Sequence, residues 1–148
     1  MIKYTMIATA LLACTTACNN AQNDNSNTTK PTTASKKCFL LVTNQVDSTT
    51  VSLTQEGDSI TGTMHYNPYA RDGAIGTLKG TKTGSTITAI YNYVIEGSSQ
   101  KEEKIMELSG TSLLIKTGAL NDVNGVMTIA NKATATVKDT MHMVACGK

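Results

Sequence analysis

The chain has 148 residues, enough for one domain of ordinary size and too few for two comfortable ones. Thirteen basic against eleven acidic side chains leave a net +2, which argues against electrostatic capture of nucleic acid or an acidic membrane surface; two prolines argue against a proline-rich chain. Aromatics are only 4%, Trp is absent and Thr occurs 25 times, and an excess of β-branched residues favours strands over helix interiors. Composition therefore predicts a small all-β domain.

The chain opens with a short basic start ending at Lys3, followed by an uncharged, mostly apolar run from Tyr4 to Ala13. That run is about half of what a bilayer-spanning helix needs, so it reads as the apolar core of a signal peptide. Cys14 and Cys18 each follow a small Ala, at the end of Leu11-Leu12-Ala13 and of Thr15-Thr16-Ala17. Both resemble the lipobox of bacterial lipoproteins, in which a cysteine thiol is diacylated and becomes the new N-terminus. Cys18 gives the better signal length and is the expected lipidation site, with Cys14 as the alternative. The expected organisation is a signal peptide over 1–17, a lipidated Cys and disordered tether over 18–37, and a β-barrel domain over 38–148. Residues 19–37 carry no apolar side chain larger than Ala apart from Pro31 and cannot bury enough surface to offset the entropy of ordering. Asn19 is not the Asp that retains enterobacterial lipoproteins at the inner membrane. An outer-membrane location, reached through the lipid anchor, is the expectation.

Strand signals begin near Cys38, where residues 38–43 form a nearly continuous apolar run. Residues 50–54 alternate, a Gly57-Asp58 turn follows, and Ile60, Gly62, Met64 and Tyr66 then share one face of the next strand. Residues 77–81 lead through Gly84-Ser85 into a strand whose inward set is Ile87, Ala89, Tyr91 and Tyr93. Further strands are expected at 104–108, 112–116, 126–130 and 140–146, with 133–138 ambiguous between strand and loop. No segment shows helical periodicity.

Residues 54–62 repeat as 81–89, and Tyr66 recurs as Tyr93 at the same offset. Two equivalent hairpins in succession predict an up-and-down meander of about eight strands, closing into a small barrel without exposed edges; a β-sandwich is the structural alternative. Once one early cysteine is lipidated and the other removed or left in the tether, Cys38 and Cys146 remain at the two ends of the domain. Closure makes the first and last strands neighbours, so a disulfide between them is expected in an oxidising envelope.

Candidate chemistry is sparse. Met141, His142 and Met143 suggest a soft metal ion, but on a strand His142 points away from both methionines, and Met64 and His65 diverge likewise. Glu102, Glu103 and Glu107 sit among lysines on one strand, where Glu103 and Glu107 share a face. A solvated charged face accounts for them better than acid-base work. Gly73, Gly76 and Gly80 have no helix after them and do not form a phosphate cradle. No catalytic residue, metal site or cofactor is expected, and the chain reads as a non-enzyme.

Tyr66-Asn67, Arg71-Asp72, residues 76–80 (GTLKG), Ala89 with Tyr91, Glu96-Gly97 and the late Cys146 resemble a family of uncharacterised small bacterial envelope lipoproteins with a lipocalin-like β-barrel. The resemblance spans roughly residues 51–107 and departs at Ala70, where a Glu is expected. It implies barrel fold and envelope location. Two functions follow as expectations. One is a barrel binding a small apolar or amphipathic ligand through Tyr66, Tyr91 and Tyr93, with Glu96 and Glu103 near the rim. The other is an interaction or inhibitor module that acts on an envelope protein through its loops.

Overall fold

A computed structural model describes residues 33–147. The signal peptide expected over 1–17, both candidate lipidation cysteines and the tether up to residue 32 lie outside the described residues. Ten strands follow in chain order: β1 (Ser35–Thr43), β2 (Asp47–Glu56), β3 (Ser59–Asn67), β4 (Ala74–Thr83), β5 (Thr86–Ile95), β6 (Ser98–Ser109), β7 (Ser112–Thr117), β8 (Leu120–Val123), β9 (Val126–Ile129) and β10 (Thr136–Val144). β1 starts ahead of the expected boundary. Ser35, Lys36 and Lys37 pair with Gln55, Thr54 and Leu53, so backbone pairing with β2 extends the strand into polar sequence.

β1 to β7 run up and down, each antiparallel to the next, and β10 closes the ring between β7 and β1. The result is a closed eight-stranded antiparallel barrel. β8 and β9 form a hairpin inserted between β7 and β10, outside the ring; β9 joins β6 in parallel at Glu102↔Met127. The segment expected as a strand at 126–130 is thus real but is not a stave of the barrel. Its partner β8 was not expected, because all four of its residues are exposed and carry no alternation.

The repeat reflects geometry. Gly57 and Gly84 each take the first central position of a two-residue hairpin turn, at φ 60° and 59°, a left-handed conformation that suits the twist of the flanking strands. Each turn launches a strand with the same inward set. Ile60 and Ile87 are buried, Met64 and Tyr91 lie above them, and Tyr66 and Tyr93 come last. Thr61, Thr63 and His65 are exposed on the other face.

The two ends of the barrel differ. The end bounded by the Gly57, Gly84 and Gly110 turns is filled by Phe39, Ile60, Leu78, Ile87, Met106, Leu113 and Met141, all fully buried. Close strand approach helps to shut it: a Cβ added at Gly80 would run into the Thr88 carbonyl oxygen. Cys38 and Cys146 are disulfide-bonded at this closed end, with Cα atoms 5.2 Å apart, and Cys38 pairs in register with Val144.

Candidate functional site

The opposite end is open. A cavity of about 540 Å³ lies between the β1–β2 turn, residues 68–73, the upper parts of β5 and β6, and the start of β10. Such a volume is ordinary for a small-molecule site. Its floor is Met64, Tyr91 and Ile115, where the packed half begins, while Ala74, at the start of β4, lines it nearer the mouth.

Tyr91 and Tyr93, two apart on β5, both face inward and stack with 4.5 Å between ring centroids and 11° between planes. The Tyr91 hydroxyl lies 3.0 Å from the Met64 carbonyl oxygen and 3.3 Å from that of Ala74, so its one proton is shared between backbone acceptors on two strands. Burial, then the neighbouring Tyr93 and Glu102, push this hydroxyl up to about 12. Burial, followed by Glu102, also raises Tyr93. Tyr66, across from Ala74 and Thr49, completes the aromatic wall.

Register brings charge to the same wall. Tyr91 sits opposite Glu102, Ala89 opposite Lys104 and Ile87 opposite Met106, which turns Glu102 and Lys104 into the barrel. They form an ion pair of 2.6 Å with little side-chain exposure, and Lys104 Nζ stands 5.8 Å from the Tyr91 ring centroid. At the rim are Asp47, Arg71, Lys138 and Asp139. The last two are consecutive, yet both line the cavity because β10 slips register between Val137 and Asp139, and such a bulge re-aims side chains. Asp47 Oδ1 accepts the Tyr69 backbone N–H at 2.8 Å, fixing the approach of the 68–73 loop.

Tyr66, Tyr91 and Tyr93 therefore lie where the sequence places them, on the cavity wall. Glu96 sits at the open end, in the exposed β5–β6 turn at φ 50° next to the cavity-lining Ile95, without itself lining the cavity; Glu103 is not at the rim. Glu103 lies on the outer face of β6, since alternation from the inward Met106 puts 102 and 104 inside and 103 outside. Nor is Glu103 solvated. It is 7% exposed, with Oε1 2.5 Å from Lys132 Nζ and Oε2 buried without a partner. Lys132 comes from the 3-10 turn Lys132–Thr134 that leads into β10. The inward Glu102 and Lys104 were missed because residues 101–104 are all charged and carry no alternation; only the phase of Met106 sets their direction.

His142 is exposed beside fully buried Met141, and His65 is exposed beside buried Met64, so the imidazoles and these inward thioethers point to opposite sides of the sheet. Among the described residues no group of three His, Cys, Asp or Glu side chains is placed to hold a metal ion.

Fold and site together define a closed, eight-stranded antiparallel barrel with one filled end and one open, polar-rimmed cavity, compatible with a lipocalin-like barrel. No family model matches the chain, and neither a curated protein nor a solved structure matches it.

Proposed function

We propose that this is a lipid-anchored protein of the bacterial cell envelope that holds a small amphipathic ligand in the open half of its barrel. The observation that carries the binding role is the contrast within one interior: fully buried apolar side chains at one end, a cavity of about 540 Å³ walled by tyrosines at the other. Eight strands enclose just enough space for side chains to fill or for one small ligand to share. The anchor rests on the lipobox resemblance at Cys18, or Cys14, and the outer membrane on Asn19. Kinship with small envelope lipoproteins rests on the motif resemblance over residues 51–107.

The protein acts by binding and without catalysis. Lys104 is engaged by Glu102 and the Tyr91 hydroxyl by backbone oxygens, so none of them is poised as a base beside a nucleophile.

Mass spectrometry of the protein extracted from its own membrane tests both halves. An acylated N-terminal Cys18 or Cys14 and a copurifying small molecule are expected. An unmodified, freely soluble protein would remove the anchor, and a ligand-free protein that binds no probe would remove the carrier role.

One observation favours a second reading. Tyr69, 79% exposed on the mouth loop, projects outward while its backbone is fixed to Asp47. Such a presented aromatic suits recognition of an envelope protein; loss of partner binding in Tyr69→Ala, with ligand binding unchanged, would support that role.

A further inference from the structure

The charges of the cavity narrow its ligand. Three acids (Asp47, Glu102, Asp139) and three bases (Arg71, Lys104, Lys138) line it. Lys116 also borders it, but it pairs in register with the outer-face Ile105 and its ammonium is held outside by Glu107 at 2.9 Å. Resting on the carrier role proposed above, we infer that the ligand is a neutral, hydroxyl-rich ring compound, a saccharide of one or two units lying against Tyr93.

Three alternatives meet specific obstacles. A long acyl chain needs an apolar tunnel, yet below Met64 and Tyr91 the interior is occupied by fully buried Phe39, Ile60, Leu78, Ile87 and Met106. A cationic head would seek the tyrosine faces and Glu102, but Lys104 already holds that place, 2.6 Å from the carboxylate and near the Tyr91 ring. An anionic head drawn to Lys104 meets Glu102 at the same point. A neutral polyol suffers neither repulsion.

The remaining features suit a sugar ring. The C–H face of a pyranose carries slight positive charge, and an aromatic ring is negative on its face. Tyr93 lines the cavity half-buried, held flat by its stack on Tyr91. Carboxylates accept hydrogen bonds and ammonium or guanidinium groups donate them. The presence of both on one wall therefore serves hydroxyls, each of which both donates and accepts.

The test uses the full chain in a polyoxyethylene detergent, which contains no sugar. Glucose, cellobiose, N-acetylglucosamine, glucuronate, phosphocholine and palmitate are each titrated. With no Trp present, tyrosine emission is the direct readout, and saturation-transfer NMR identifies the protons in contact. The expected result is saturable binding of at least one neutral sugar, with transfer to its ring C–H protons. Affinity should fall about tenfold in Tyr93→Ala, the equivalent of one lost aromatic contact. Glu102→Gln keeps side-chain shape and frees Lys104, so it should shift preference about tenfold from glucose towards glucuronate. Binding of palmitate or phosphocholine with every sugar silent would overturn the saccharide assignment and leave the carrier role standing. Silence from all six probes would overturn both.

Discussion

The Tyr91 hydroxyl reaches across to the carbonyl oxygens of Met64 and Ala74, so the residue that floors the cavity also ties β5 to β3 and β4. Tyr91→Phe keeps the ring and its stack while leaving those two carbonyls short of a donor. We expect a loss of about 1 kcal/mol in urea unfolding. An unchanged stability would show that solvent replaces the bond.

The same hydroxyl predicts the alkaline limit. The folded state holds Tyr91 above its unfolded value of 10.0, at about 12, so native protein keeps a proton that the unfolded chain releases. Its contribution is complete below pH 10 and is lost as the pH climbs towards about 12. Tyrosinate absorbance should show a late step that vanishes in Tyr91→Phe, and urea midpoints should fall across that window. A titration unaltered by the substitution would contradict this.

Gly76 tests strand approach against turn strain. A Cβ there would run into the Asn92 carbonyl oxygen and stand 2.6 Å from the Tyr93 Cα, forcing β4 from β5 beside the cavity. We expect Gly76→Ala to cost about 2–3 kcal/mol. Gly57→Ala, with nothing within 4 Å but a positive φ, should cost only about 1 kcal/mol. Equal losses would refute the distinction.

On the outer wall, Lys132→Met removes the one partner of the buried Glu103 carboxylate. Discounting for the half-exposed lysine, a loss of about 2–3 kcal/mol is expected, mostly recovered when Glu103→Met is added. A double variant no better than the single would show that the turn, rather than the charge, was damaged.

What sequence could reveal follows the period of two. Ile60 to Tyr66 and their repeat at Ile87 to Tyr93 alternate cleanly, so faces, turns and ring closure, including Cys38 beside β10, were legible in them. β6 was not, because Ile105 and Met106 are adjacent apolar residues and either could set the phase. Both are buried: Met106 inside, Ile105 on the outer face. Reading the wrong one inward puts Glu103 at the rim in place of Glu102. The bulge at Lys138 is invisible for a related reason, since alternation presumes an unbroken register.

Both ends of the described chain leave from the closed end of the barrel, and the Cys38–Cys146 bond joins them there. A pull applied between residues 35 and 147 is therefore borne by Ser35–Cys38, the sulfur bridge and Cys146–Gly147. The 107 residues between the two cysteines carry none of the load. Held in a force probe by its termini, the oxidised protein would stretch by a few residues and then stop, mechanically silent however weak its strand pairing. After reduction the same pull would unzip β1 from β10 and open the ring.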